Sequence, residues 1–308
     1  MSEPKQHHFL PRCYLANFCR DDRIWIRDCK KQENRLQKPE NVAKIRYYYS
    51  FEKNGVRDNS VEKALCEIEG IAVPLIADLA AGKSITSNSK ENLSRFLAFL
   101  WMRVPDFQQD VENFSKEYIK KHLGLIFRSK EDVKNAVQRH YEQTGILIDV
   151  DADNLLEVIE KNDYQIKVKR DSSIATMLKL SEGVTHCFKQ SDWIVYHSVG
   201  DASFVTTDNP LILVPPDDYH GDIRGCGIAT AGTKKLFPLT HSCCLMILDK
   251  GGNLQHEHIN REQMRRINKR AARQVGRLII SRDEALLENL KNIADMSARS
   301  RAGRFIVD

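Results

Sequence analysis

The spacing of apolar positions changes twice along the chain. Near the N-terminus it is irregular. Phe9, Leu10, Tyr14, Leu15 and Phe18 cluster after the pair His7-His8, and Pro11 opens a helical turn. A chain end this apolar is expected to dock rather than dangle. Arg23–Asp28 has an apolar centre between charged ends and reads as a strand, and the aromatic-rich Arg46–Phe51 as a second. From about residue 59 the period becomes helical. Val61, Leu65, Ile68, Ala72, Leu75 and Leu79 follow a capping Ser60, and Pro74 is expected to kink or end that helix. Ser89 or Asn92 starts another helix through Leu93, Phe96, Leu97, Leu100 and Trp101, stopped at Val104-Pro105. Pro105 opens the next, Ser129 and Asp151 cap two polar ones, and Asp171 starts a longer one.

After Ser191 the pattern alternates, the mark of half-buried strands. Asp192–Ser198, Ser203–Thr207, Leu211–Val214, Lys234–Leu239 and Cys243–Leu248 are strand candidates separated by turn residues such as Asn209-Pro210 and Gly251-Gly252. A helix over Arg261–Val275, a strand Arg277–Ser281, a helix Asp283–Asn292 and a last strand Arg304–Val307 complete the reading. Strands, then helices, then strands predict an α+β fold, with a mainly antiparallel sheet and a large helical insertion. Two N-terminal strands are too few for a sheet of their own, so they are expected to join the C-terminal one. That makes residues 1–308 a single domain, with an N-terminal segment 1–58, a helical block 59–190 and a sheet with a basic helix over 191–308.

Composition narrows the class. The apolar share is ordinary for a protein of 308 residues. No apolar run approaches the ~20 residues of a membrane span, and no signal segment is evident. The eight cysteines form no CxxC pair, so they are read as reduced thiols in a cytoplasmic protein without a membrane partner. The net charge of +5 permits an anionic partner without demanding one.

Five stretches carry candidate chemistry. Ser203-Phe204-Val205-Thr206-Thr207-Asp208-Asn209-Pro210 is a strand end presenting hydroxyls, a carboxylate and an amide before a proline turn. Such ends hold reactive groups rigidly, and an Asx turn at Asp208 is the structural alternative. Arg103 closes its helix, where it satisfies the last carbonyls, clamps an anion or pairs with Asp208 in the core. His7 and His8 are adjacent, so one faces inward while the other stays exposed. His256-Glu257-His258 gives one HxH with no evident third ligand, and these are read as solvated loop histidines, with no metal site and no cofactor named. Finally, Met264, Ile267, Ala271 and Val275 form the apolar face of a helix otherwise filled by Arg265, Arg266, Lys269, Arg270 and Arg273, a candidate nucleic-acid footprint. Asn268 sits at the border of that face.

Several of these segments resemble one bacterial family, the domain-of-unknown-function 4238 family. His7-His8-Phe9-Leu10-Pro11-Arg12-Cys13-Tyr14-Leu15-Ala16-Asn17-Phe18 is similar to its "HHxxPxxYLxxF" opening. Trp101-Met102-Arg103-Val104-Pro105 is similar to its "RxP" segment, and Thr206-Thr207-Asp208-Asn209-Pro210 to its "TSDNP" strand end, with Thr207 where serine is usual. Phe237-Pro238-Leu239-Thr240 resembles its "PLS" segment. The resemblance implies one family-wide domain and no particular activity.

Two functions fit this reading. One is a hydrolase of phosphodiester bonds in nucleic acid or a nucleotide, of the kind found in bacterial defence or toxin-like systems. In it His8 is the general acid or base, Asp208 orients it and Arg103 stabilises developing charge, while His7, Asn209 and Asn268 bind substrate. The other is a non-catalytic nucleic-acid or partner-binding module in which the same polar groups form a buried structural network.

Overall fold

The computed structural model describes residues 6–53, 56–220 and 226–304. Its strands are β1 (Gln6–His8), β2 (Ile24–Asp28), β3 (Glu33–Gln37), β4 (Lys44–Arg46), β5 (Phe51–Lys53), β6 (Val56–Asp58), β7 (Ser191–Ser198), β8 (Thr206–Thr207), β9 (Ile212–Val214), β10 (Lys234–Pro238), β11 (Cys243–Lys250), β12 (Leu254–Ile259) and β13 (Leu278–Ser281). Its helices are α1 (Arg12–Ala16), α2 (Ser60–Ala80), α3 (Ser87–Met102), α4 (Pro105–Ile126), α5 (Lys130–Thr144), α6 (Ala152–Glu160), α7 (Arg170–Lys189), α8 (Arg261–Arg273) and α9 (Glu284–Arg304). The fold is α+β, with antiparallel sheets and the helical block α2–α7 between the N-terminal strands and the C-terminal sheet.

The chain forms two compact units, one of residues 1–107 with 177–308, the other of residues 108–176. Within the first, one sheet runs β12-β7-β11-β10-β9 and a second runs β3-β2-β13-β8. All pairs are antiparallel except β12 on β7. The N-terminal strand β2 therefore does join the late strand β13, Ile26 opposite Ile280. Alternation along β7 buries Ser191, Trp193 and Val195. The core between the sheets and α8 and α9 gathers Phe204, Val205, Leu236, Met264, Ile267, Ala271, Ile279, Leu287 and Leu290. In the second unit, Ser129 and Asp151 cap α5 and α6 through their side-chain oxygens, as their sequence positions predict.

Several expected elements differ. The aromatic stretch is a turn, not a strand: Tyr47 has φ 52°, and Tyr48 and Tyr49 are buried. Its aromatics fill core positions, and the Tyr49 N–H goes to a side chain instead of a ladder. Helix α2 runs through Pro74 to Ala80. Pro74 lies on the exposed side, where the carbonyl it leaves unbonded can be hydrated, while Ala72, Ile76 and Leu79 anchor the other side. Thr86, not Ser89 or Asn92, caps α3. Only Thr206–Thr207 of the expected Ser203–Thr207 strand pairs with β13. The polar stretch around His256 and His258 is strand β12, not a loop. Helix α9 continues to Arg304, and the rest of the expected last strand lies outside the described residues.

Candidate functional site

The N-terminal segment is built into the protein. Phe9, Leu10, Tyr14, Leu15 and Phe18 are all buried. The Asn17 side chain donates to the Leu239 carbonyl, and the His241 N–H donates back to the Asn17 carbonyl. Helix α1 is thus fastened to the Phe237–Thr240 segment that resembles the same family.

Strand alternation separates the two histidines, and the inward one is His7. Its ring is fully buried and stacks on Tyr49, with ring planes 13° apart. Nδ1 accepts the Tyr49 N–H at 3.0 Å. That nitrogen must hold a lone pair, so a neutral His7 carries its proton on Nε2. The Glu62 carboxylate lies 3.9 Å from the same Nδ1. Because Nδ1 already accepts, this approach is a contact and not an ion pair. Burial raises the Glu62 pKa, which the nearby Arg103 charge only partly offsets. His8 faces the other way. Its Nε2 meets the Glu40 carbonyl at 3.2 Å, and burial lowers its pKa, with Lys44, Arg12 and Arg103 adding to the effect.

Arg103 is the hub of this cluster. Nη1 donates to Glu69 at 2.6 Å, Nη2 donates to the His8 carbonyl, and Nε reaches the Tyr49 hydroxyl. That hydroxyl in turn donates to the Arg103 carbonyl at 2.8 Å. Burial opposes the guanidinium charge, but Tyr49 and Glu69 outweigh it, so Arg103 stays a cation. Its side chain is only 2 % exposed and all three nitrogens are committed inside the protein. The Arg103 partner is therefore Glu69, not Asp208, and His8 contributes a carbonyl to it rather than a ring.

Asp208 belongs to a second cluster, reached from the same helix corner by Asp106. Its Oδ1 accepts the Gly276 N–H at 3.0 Å and its Oδ2 the Arg277 N–H at 2.6 Å. The turn after β8 is made by Thr207, whose hydroxyl accepts from the Asn209 N–H and donates to the Asn209 carbonyl. Asp208 thus does not form the Asx turn that was its structural alternative, and reaches 276–277. A Cβ on residue 276 would stand 2.8 Å from Asp106 Oδ1 and 3.2 Å from Asp208 Oδ2. Glycine at this position lets two carboxyl groups share one corner. Asp208 keeps an edge at the surface, yet its carboxyl is enclosed. Burial first, and Asp106 second, push its pKa up to about 7 against the pull of the backbone donors. The Arg277 side chain forks onto the fully buried Asp28 at 2.7–3.1 Å.

Asn268 is wholly engaged as well. Its Oδ1 accepts the Val205 N–H at 3.0 Å and its Nδ2 donates to the Ser203 carbonyl at 2.9 Å. The amide completes the backbone of 203–205 where no strand does. Asn209 keeps one buried side-chain oxygen without a partner among the described residues.

The predicted residues thus divide. His7, the His8 backbone and Arg103 meet in one network, while Asp208 and Asn209 lie at the second and Asn268 braces the strand end. Sequence reading missed Glu62, Glu69, Asp106 and Gly276. The signal for the first two was present: both carboxylates fall on the helical spacing of Leu65, Ala72 and Leu79, the buried face of α2. A separate polar groove of about 510 Å³ is lined by Arg27, Asn34, Glu288, Lys291 and Asp295, whose charges are already paired with one another.

The fold and these networks define an α+β protein whose N-terminal motif is fastened to late-sequence strands and whose mid-chain arginine is held by the N-terminal segment and α2. A family model described as "Protein of unknown function (DUF4238)" matches residues 6–285, and the chain belongs to that family. No curated protein and no solved structure matches the chain.

Proposed function

We propose that this protein is a nucleic-acid-binding module that uses the solvent face of α8, with the His7–Arg103–Glu69 network as a brace. The observation that carries this reading is the charge on that helix. Arg265, Lys269 and Arg273 are exposed and Arg270 half-exposed, and none has an acidic partner among the described residues. Among the described residues only Arg266 of this set is neutralised, by Glu262. The opposite face, Met264, Ile267, Asn268, Ala271 and Ala272, is buried, and a capping box of Asn260 and Gln263 fixes the start. A rigid helix thus holds cations over about 12 Å of its axis, the electrostatic footprint of a phosphate backbone.

The test is fluorescence anisotropy with labelled duplex DNA, single-stranded DNA and RNA across a salt series. Binding is expected to weaken steeply with salt. The triple substitution Arg265→Gln, Lys269→Gln, Arg273→Gln should flatten the slope by about 0.9 for each duplex phosphate that is no longer neutralised. No binding at low salt, or an unchanged slope, would refute the proposal.

A second reading, phosphodiester hydrolysis, is favoured by the Asp106–Asp208 corner, where a carboxyl that titrates near neutrality stands beside another carboxylate. It predicts nuclease activity that is lost in Asp208→Asn and retained in the α8 triple variant on mononucleotide-sized substrates. Absence of any turnover by the wild-type chain rules it out.

A further inference from the structure

Histidines 197, 256 and 258 come together at the β7–β12 edge, away from both networks described above. The two strands run parallel with His258 opposite His197, so side chains at these two positions share a face. His256, two residues before His258, projects to that face too. Trp193 and Val195 bury the same face further along β7. The HxH pair that lacks a third histidine in the linear sequence gains one from the neighbouring strand.

The contacts are specific. His197 Nε2 and His256 Nδ1 are 2.9 Å apart, and the ring centroids of His197 and His258 are 5.5 Å apart. On its far side His256 Nε2 meets the Lys83 carbonyl at 3.2 Å. A carbonyl only accepts, so Nε2 carries the proton and His256 Nδ1 keeps its lone pair, aimed at His197. An imidazole whose outer N–H is tied to a backbone carbonyl while its inner nitrogen faces another histidine is the arrangement that orients a metal-bound histidine.

We infer that His197, His256 and His258 form a binding site for a zinc-class divalent cation, which clips edge strand β12 to β7 and to the turn around Lys83. Among the described residues no three His, Cys, Asp or Glu side chains are gathered for a metal as they stand. Two small adjustments gather these three. His258 is exposed and, among the described residues, makes no hydrogen bond that holds its ring, so it can turn toward His197. His197 moves its proton from Nε2 to Nδ1, with no net proton release from the neutral ring. Zinc–nitrogen bonds of ~2.0–2.1 Å in tetrahedral geometry then require the 2.9 Å pair to open by only a few tenths of an ångström, with water as the fourth ligand.

The experiment titrates cobalt(II), as a visible surrogate for zinc, into the untagged full-length protein and displaces it with zinc. The expected result is one cobalt per chain, with d–d absorption and no thiolate charge-transfer band, since the protein also has eight free cysteines. His256→Ala and His197→Ala should weaken binding more than ~10-fold. His258→Asn keeps an exposed polar side chain and should do the same without loss of fold. His241→Ala, at the contact with Arg282, should bind as the wild type does. Zinc should also raise the melting temperature of the wild type and not of His258→Asn. A thiolate band, or wild-type affinity in the three variants, would overturn the inference.

Discussion

Tyr14 and Thr206 are 192 positions apart in the chain, yet their hydroxyl oxygens lie 2.7 Å apart. The Tyr14 hydroxyl has a single hydrogen and gives it to the Pro238 carbonyl, also at 2.7 Å. Thr206 must therefore be the donor to Tyr14. One phenol thus joins three segments that resemble the family at three separate places. Burial holds it far above its ordinary pKa, so it remains a donor at any working pH.

Tyr14→Phe removes this junction and keeps the ring. The Pro238 carbonyl and the Thr206 hydroxyl are then left buried without it, and the loss should be about 1–3 kcal/mol. Urea unfolding is expected to show a lower midpoint with an unchanged slope. An unshifted midpoint would mean that the junction adds nothing.

Arg103→Met should cost more, about 3–5 kcal/mol, because it strands a carboxylate against the core. Glu69 retains some solvent contact, which places the result toward the lower end. The companion Glu69→Gln tests the pairing itself. The double variant should lose less than the two singles added together, with a coupling of at least ~0.5 kcal/mol. Additive losses would show that the two side chains act separately.

Asp208 makes stability depend on pH in an unusual direction. Its folded pKa, about 7, lies above that of an unfolded aspartate. Protons are therefore bound more tightly in the folded state. The contribution is complete at acid pH, below the unfolded value near ~3.9, and is lost as pH rises through about 7. The slope should approach 1.4 kcal/mol per pH unit within that window, to about a factor of two. Asp106→Asn removes the neighbouring charge and should move the upper end of that window to lower pH. An unmoved upper end would show that burial alone sets the shift.

Asn268→Asp exchanges a donor for an acceptor facing the Ser203 carbonyl. The charged side chain would sit 3 % exposed in the core, and a loss above ~2 kcal/mol is expected. Asn268→Leu removes both bonds without adding charge and should be milder. Faster amide exchange at Val205 in both variants would report the lost brace, and protection equal to the wild type would count against it.

What the sequence revealed depended on how local the cause was. Pro105 starting α4, Ser129 and Asp151 as caps, and the β7 alternation each follow from neighbouring residues, and each was legible. So was the inward–outward split of His7 and His8, though not which of them faces in. Partners set by tertiary packing were not. Nothing near Arg103 in sequence singles out Glu69, and nothing near Asp208 names Gly276. Tyr47–Ser50 misled because aromatic residues that fill a core have the same composition as a strand. Strand β12 was missed because its residues are mostly exposed polar side chains and it pairs at the sheet edge, where an apolar pattern is not needed.

The order β3-β2-β13-β8 has a consequence for how the protein is made. Strands β2 and β3 leave the ribosome early and can pair as a hairpin, but the other edge of β2 waits for β13, which ends at Ser281. At roughly 5–20 residues per second, the intervening chain takes on the order of tens of seconds to synthesise. Through that interval Ile26 lacks its β13 neighbour, and Tyr14 and Asn17 lack their partners at Thr206, Pro238 and Leu239. Folding of the first unit is therefore expected to be largely post-translational and slow. A nascent chain truncated before β13 should be held by chaperones or cleared by proteases, whereas one extended a few tens of residues past Ser281 should become protease-resistant.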